Sequence, residues 1–293
     1  MNEISLRAYA KVNIGLDITG RRPDGFHLVE MVMQTVDIYD TVSVEKLSGS
    51  ADGDPRIYIS ADKPGVPQGE DNLAWKAAEL VMRSFGINQP VGISLEKNIP
   101  MAGGMAGGST DAAAVLLALN ELFELSLSPE ELDGLAVRLG ADVPFCLRRG
   151  TYLARGVGEK LKKLKDFPNC GVLIINPGFG VSTAWAYRAV DGARNALAHP
   201  DIRGLCKAIE EGNLKEACGA AGNIFEAVVF RRHPEIAAVK EKLKESGALA
   251  ALMSGSGATV FGIFESEAAA GEALRNFEGD AAPVFLKAGR FKF

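Results

Sequence analysis

Pro100-Met101-Ala102-Gly103-Gly104-Met105-Ala106-Gly107-Gly108-Ser109-Thr110-Asp111-Ala112-Ala113-Ala114 is the stretch around which the chain is read. A strand-like run, Val91 to Glu96, leads into it, and a helix-like run, Asp111 to Leu122, leads out. Glycines let backbone N–H groups come close to a bound anion, and a helix start adds unpaired donors and a partial positive charge. The stretch therefore reads as a loop for nucleotide phosphates, against the plainer alternative of a glycine-rich tight turn. It is not a P-loop: Gly103 and Gly108 have the right separation, but Ser109 stands where the lysine belongs. It is not a dinucleotide fingerprint either, because that motif follows the first strand of a parallel βαβ unit. Here the preceding strands read as antiparallel.

Upstream of the loop, Ser5 to Asp17 alternates as a strand, with Lys11 and Asn13 on one face and Val12 and Ile14 on the other. Taken alone, Lys11 also fits a solvated outer face. Arg21-Arg22-Pro23-Asp24-Gly25 is a turn, followed by Phe26-His27 and strand-like runs Leu28 to Val36, Thr41 to Glu45 and Arg56 to Ile59. Asp71-Asn72 opens an amphipathic helix to about Phe85, with Asp71 as the expected N-cap. Downstream, Ser128-Pro129-Glu130-Glu131 is a capping box that starts a helix ending near Gly140. Asp142 follows, between apolar residues and a proline; a carboxylate so placed is burial-prone and needs a partner, or else is a plain turn aspartate. Gly150 to Arg155 reads as strand and Gly156 to Glu159 as turn. Beyond it, strands are expected at Gly171 to Asn176, Ala248 to Met253, Ala258 to Phe264 and Pro283 to Lys287. Helices are expected at Thr183 to Val190, Ile202 to Glu210, Asn223 to Phe230, Pro234 to Glu245 and Glu265 to Phe277. Helices mixed with antiparallel strands in both halves make the class α+β, with a boundary near 155–165.

Composition narrows the function. The net charge of −5 and the absence of any basic tract longer than Lys160 to Lys165 argue against a nucleic-acid partner. No apolar run is long enough to span a bilayer, and Met1 to Leu6 is not built like a signal peptide, so a cytoplasmic protein is expected. Cys146, Cys170, Cys206 and Cys218 lack metal-site spacing and read as small apolar residues in a reducing compartment.

Three motifs in this order, Lys11 with Asn13, the loop from Pro100 to Ala114, and Leu252-Met253-Ser254-Gly255-Ser256-Gly257-Ala258, resemble the galactokinase/homoserine/mevalonate/phosphomevalonate (GHMP) kinase superfamily. The resemblance covers essentially the whole chain. Ala10 to Leu16, Arg22 to His27, Gly140 to Phe145 and Gly156 to Glu159 are similar to the branch whose acceptor is 4-diphosphocytidyl-2-C-methyl-D-erythritol, in the non-mevalonate isoprenoid route. The resemblance implies a two-domain fold over residues 1–158 and 159–293. Its N-terminal domain is of ribosomal protein S5 domain 2-like type, and its C-terminal domain is an α/β sandwich with an antiparallel sheet.

It also implies ATP and Mg²⁺ and a small-molecule acceptor phosphorylated on its 2-hydroxyl. A monomer or weak homodimer is expected, because no large apolar stripe is left unassigned, and composition and hydropathy leave no place for nucleic acid or membrane as a partner. By position, Asp142 is the expected catalytic residue with Lys11 beside it, and Asn13 holds the acceptor. Phe26 and His27 belong to a cytidine pocket, with Tyr187 as a second aromatic wall and Thr183 nearby; the plainer reading of His27 is a turn histidine with an exposed ring. Asn72 and Lys97 line the adenine nucleotide. Pro100, Met101, Ala102, Gly103, Gly104, Met105, Ala106, Gly107, Gly108, Ser109 and Thr110 surround the ATP phosphates. The Mg²⁺ ligands stay open, with Ser109 or Thr110 offering a hydroxyl and no dedicated acid in view. Asp111 reads as a helix-start charge, His199 and His233 as surface, Trp75 and Trp185 as packing.

There are departures. Ala106 replaces a usual glycine, and a positive φ there costs about 1 kcal/mol, so a negative φ is expected. Met33 stands where some members of the family carry an aromatic near the cytosine. Two other functions remain beside this one: another small-molecule kinase of the superfamily, and a nucleotide-binding sensor without turnover.

Overall fold

The computed structural model describes residues 1–49, 56–193, 197–277 and 285–292. They form two compact units through which the chain passes repeatedly: Met1–Ala10, Ile38–Ile99 and Ala106–Arg148 make the first, and Lys11–Asp37, Pro100–Met105 and Arg149–Phe293 the second. Two long strands, β1 (Glu3–Arg21) and β2 (His27–Lys46), supply residues to both.

In the first unit, the start of β1 and the end of β2 join β3 (Ile57–Ala61) and β4 (Val91–Glu96) in the order β3-β4-β2-β1. β2 and β4 are antiparallel, with Thr41 opposite Glu96, but β3 and β4 are parallel, contrary to the antiparallel expectation. The helices are α1 (Leu73–Phe85), α2 (Gly107–Leu122), α3 (Pro129–Leu139) and the short α4 (Val143–Cys146). Val42, Val44, Ile93 and Leu95 of the sheet pack with Ala74, Ala78 and Val81 of α1 and Ala112, Leu116 and Leu119 of α2. α2 is buried nearly all round, which explains its run of alanines: small side chains let a central helix approach its neighbours on every face.

Two local expectations change here. The N-cap of α1 is Asn72, not Asp71: Asn72 Oδ1 accepts from Ala74 N at 2.9 Å while Nδ2 donates to Pro67 O at 2.8 Å. An amide meets both needs, whereas a carboxylate only accepts. The runs Leu28 to Val36 and Thr41 to Glu45 are one continuous strand. The charges of Asp37 and Asp40 broke the apolar pattern, yet Asp40 lies fully buried in β2. The capping box of α3 forms as expected, with Ser128 Oγ accepting from Glu131 N and Glu131 Oε2 accepting from Ser128 N. That second bond holds the Glu131 carboxyl below its ordinary range.

In the second unit, the rest of β1 and the start of β2 join β5 (Thr151–Arg155), β6 (Lys160–Lys163) and β8 (Gly222–Asn223) in the order β6-β5-β2-β1-β8. β8 runs parallel to β1. A second sheet, wholly antiparallel, is ordered β11-β7-β10-β9, from β7 (Gly171–Asn176), β9 (Ala250–Met253), β10 (Val260–Phe264) and β11 (Phe285–Gly289). Of the last expected strand, residues 283 and 284 lie outside the described residues. Helices α5 (Thr183–Ala193), α6 (Ile202–Glu211), α7 (Leu214–Ala220), α8 (Glu226–Arg232), α9 (Pro234–Glu245) and α10 (Glu267–Leu274) complete the unit. The expected helix from Asn223 begins only at Glu226, because Asn223 Oδ1 accepts from Phe225 N and turns the chain first. Among the described residues no helix is long and apolar enough to cross a membrane.

Candidate functional site

Within the second unit, the three motifs of the sequence meet. Lys11 Nζ donates to Asn13 Oδ1 at 2.7 Å and to the Gly104 carbonyl at 3.1 Å. Ser254 Oγ donates to the same carbonyl at 2.9 Å and accepts from Asn13 N at 3.4 Å. The amide of Lys11 donates to Met105 O, and that of Thr259 to Gly103 O. Three successive carbonyls of the loop are thus turned into the protein. In a trans peptide the C=O and the following N–H point opposite ways. The N–H groups of Gly104, Met105 and Ala106 therefore face away from Lys11, Ser254 and Thr259, as donors to an anion must.

Side-chain bulk is excluded at this loop. A Cβ on Gly103 would lie 2.7 Å from both Asn176 Nδ2 and Thr259 Oγ1, which are bonded to each other. A Cβ on Gly104, whose φ is +75°, would lie 2.1 Å from the Ser254 carbonyl oxygen. The turn that approaches so closely is gripped by Asn223, whose Nδ2 donates to Met253 O at 2.7 Å and Gly255 O at 2.8 Å. Sequence reading missed Asn223 and Asn176; each is a buried amide beside a strand end, and neither carries a motif.

The helix that follows the loop belongs to the first unit. α2 starts without a side-chain cap, on Gly107 and Gly108, so its leading N–H groups have no protein side chain to serve. The residue before them corrects an expectation: Ala106 is left-handed, with φ +60°, despite its methyl. The backbone takes this conformation at the N-cap of α2 against a cost of roughly 1 kcal/mol. Thr110 Oγ1 is spent on the Tyr9 carbonyl at 2.8 Å, while Ser109 is only half-buried.

Behind the helix start lies a buried charge cluster. Lys97 Nζ donates to Asp40 and to Asp111, all three nearly inaccessible. The same amine lies 3.8 Å from the position a Gly107 Cβ would occupy. Burial works against the Lys97 charge, but Asp111 and Asp40 outweigh it and hold the amine above its ordinary range. Burial pushes the Asp111 carboxyl up to about 7, with Lys97 opposing and Asp40 adding to the rise. Asp40 Oδ1 accepts from Asn98 N and Ile99 N, whereas Asp111 Oδ1 has no partner among the described residues. Asp111 is therefore a buried partner of Lys97 beyond the first turn of α2, not a helix-start charge. Asp142, also in this unit, precedes α4, is half-buried, and does not cap that helix with its side chain.

A second cluster of the second unit surrounds His27. Its ring stacks on Tyr187, centroids 4.5 Å apart at 21°, and Tyr187 meets Phe225 edge-on at 5.0 Å. His27 Nε2 lies 2.8 Å from Asp191 Oδ1, and its side chain is 11% exposed, so it is no solvent-facing turn histidine. Phe26 is 62% exposed. Thr183 Oγ1 and Ser256 Oγ are 2.8 Å apart, tying α5 to the glycine turn after β9. Met33 is fully buried in β2 opposite Tyr152 and presents no surface to a base. His199 is half-exposed but bonded to Asp17 at 2.7 Å, and His233 bonds Glu235 and lies beside Trp185 and Phe179. Cys170 and Cys218 are buried thiols pushed up to about 12 by that burial, in keeping with a packing role.

No group of three or more acidic, histidine or cysteine side chains among the described residues is arranged to hold a metal. The donor set fits a Mg²⁺ carried by phosphates and water, with Ser109 the one loop hydroxyl not already bonded among described residues.

The chain is similar to known proteins over most of its length. Residues 72–150 match the model of the GHMP kinases N terminal domain, and residues 193–281 that of the GHMP kinases C terminal domain. The chain is 44% identical over 278 residues to the 4-diphosphocytidyl-2-C-methyl-D-erythritol kinase of Lachnoclostridium phytofermentans, covering 95% of this chain and 94% of that protein. It is 43% identical over 261 residues to the protein of the same name in Bacillus subtilis, covering 89% and 88%. A crystal structure of 4-(cytidine 5'-diphospho)-2C-methyl-D-erythritol kinase superposes with a TM-score of 0.82 at 33% identity, covering 99% of this chain and 100% of that one. A homoserine kinase from Cytophaga hutchinsonii shares the fold, with a TM-score of 0.77 at 21% identity over 100% and 95% of the two chains.

Proposed function

The chain belongs to the 4-diphosphocytidyl-2-C-methyl-D-erythritol kinase family of GHMP kinases, and from that premise we propose that it moves the γ-phosphoryl group of ATP to the 2-hydroxyl of 4-diphosphocytidyl-2-C-methyl-D-erythritol, in isoprenoid precursor synthesis. The observation that carries the reading is the Gly104 carbonyl held by both Lys11 and Ser254, which binds the three kinase motifs into one construction.

The acceptor hydroxyl sits on a carbon that also bears a methyl group, so it is crowded and weakly acidic. Phosphoryl transfer has a loose transition state, and catalysis is mainly positioning and charge neutralisation. Asp142 orients the hydroxyl and accepts its proton, help worth on the order of 10²–10⁴ in rate. Lys11 steadies the charge on the group in flight. Asn13, buried and bonded to Lys11, holds the acceptor side. The N–H groups of the loop and of the α2 start hold the triphosphate, with Asn72 and Lys97 toward the adenine nucleotide. Ser109 would hold a Mg²⁺ through its hydroxyl, and the ion would supply charge neutralisation on the phosphates. His27, Tyr187, Phe26 and Thr183 form the cytidine end. We assign residues 1–158 and 159–293 as the sequence domains; the two family matches fall on either side of that boundary. ATP is a cytoplasmic metabolite, and we assign the enzyme to the cytoplasm.

The test is ADP release with ATP, Mg²⁺ and the cytidyl acceptor, run beside mevalonate and homoserine. Release with the cytidyl acceptor alone is expected; release only with another acceptor overturns the cytidine assignments. The Asp142→Asn variant is expected to keep ATP binding within a few-fold and to lose at least about 10²-fold in turnover. Turnover that survives removes Asp142 from the role of base.

A further inference from the structure

Asp191 stands outside every motif, yet it is placed as if to control His27. It lies four residues after Tyr187 on α5, so one helix face presents both residues to the same imidazole. Tyr187 stacks on the plane of the ring, and Asp191 Oδ1 takes one edge at Nε2, 2.8 Å away. The other carboxylate oxygen, Oδ2, faces Arg21 at 3.4 Å. Plane and edge together fix the ring's orientation. A carboxylate only accepts, so in the neutral ring Nε2 must carry the proton and Nδ1 must be the bare lone pair. Nδ1 has no partner among the described residues.

We infer that Asp191 is a positioning residue that sets the nucleobase preference of this enzyme by holding His27 in the tautomer whose Nδ1 accepts a hydrogen bond. The inference rests on the preceding assignment of His27 to the cytidine end. An accepting Nδ1 matches the 4-amino group of cytosine, which donates. It opposes the 4-keto oxygen of uracil, where two lone pairs would face each other. A buried polar atom left facing the wrong partner discriminates far more strongly than a missing contact does.

The informative substitution is Asp191→Asn. Arg21 can only donate, so it draws the carboxamide oxygen to itself and turns the NH₂ toward Nε2. Nε2 must then accept, and the proton moves to Nδ1. Two measurements on the full-length protein follow. In ¹⁵N-histidine spectra, with His27→Gln for assignment, the wild-type ring is expected to be protonated at Nε2 and the Asp191→Asn ring at Nδ1. In the kinase assay, the wild type is expected to prefer the cytidine over the uridine diphosphate acceptor. Asp191→Asn is expected to shrink that preference by roughly 10- to 100-fold in kcat/KM, mostly through KM. Asp191→Glu, still an acceptor, is expected to restore part of it. The inference is overturned if the wild-type proton sits on Nδ1, or if Asp191→Asn lowers kcat equally for both acceptors with the preference unmoved. A wild-type enzyme inactive on the cytidyl acceptor overturns the functional assignment instead, a result the tautomer spectra keep distinct.

Discussion

Asp40, Lys97 and Asp111 put two carboxylates and one amine into a nearly inaccessible space. Fully ionised, the three would leave a net negative charge buried, and one proton removes it. Asp40 is served by two backbone N–H groups and Asp111 Oδ1 by none, so the proton belongs on Asp111. The pH consequence has a definite sign. The folded value of about 7 lies above the ordinary carboxylate value, so the stability this group confers is full below about pH 4 and is lost as the pH rises through about 7. Asp111→Asn cannot titrate, and its amide oxygen still accepts from Lys97. The melting temperature of the variant, minus that of the wild type, is expected to increase by several degrees between about pH 4 and 8. A difference that stays flat with pH removes the proton from Asp111. The sequence held a clue to this burial: a charged residue followed directly by Ala112-Ala113-Ala114, in a helix whose small side chains announce close packing on every side. Nothing in the sequence named its partners, because Asp40 and Lys97 are brought to it by pairing of β2 with β4, not by spacing along the chain.

At the scale of elements, the glycine loop and the start of the helix after it make the same demand, a left-handed backbone, at two nearby positions, and meet it with different residues. Gly104→Ala would push a methyl to 2.1 Å from the Ser254 carbonyl at a positive φ, and the loop would have to leave its three anchors. A rise of at least about 10-fold in KM for ATP is expected, with a loss of about 2 kcal/mol or more in stability measured by urea unfolding. Ala106→Gly acts the other way. It relieves a left-handed alanine at φ +60°, a gain of up to about 1 kcal/mol once the extra freedom of unfolded glycine is counted. A KM for ATP that stays within a few-fold is expected with it. An Ala106→Gly protein less stable than wild type would mean that the methyl makes a contact worth more than the strain. Elements with a strong local signal were legible: the capping box of α3, the amphipathic α1, and the strand-loop-helix around Gly104. The weak ones were not. β6 was hidden by its lysines, which its neighbour β5 tolerates on a solvated edge, and α7 was too short to show a period. The start of α8 was misplaced because an asparagine side chain, not the backbone pattern, turns the chain there.

At the scale of the molecule, the chain visits its units in alternation, and β1 and β2 each belong to both. Melting either unit therefore unravels strands that the other uses. Calorimetry of the whole chain is expected to give one transition, with calorimetric and van't Hoff enthalpies that agree; two resolved peaks would contradict this. The two-part kinase architecture was legible because its three motifs are far apart in the chain and specific together. The interleaving was not, since it depends on strands long enough to serve both units, and Asp37 and Asp40 made one such strand look like two. The same limit applied to the site. Lys11, Asn13 and the loop stand out in local sequence, whereas Asp191, Asn176 and Asn223 are marked only by the contacts that folding gives them.

The left-handed Ala106 has a consequence for laboratory evolution. Every alanine codon becomes a glycine codon by changing its middle base from C to G, so the relieving substitution is a single transversion away. A lightly mutagenised library of this gene will contain it without design. A heat challenge followed by a plate assay for the kinase should return that clone early, ahead of improvements that require two bases to change together.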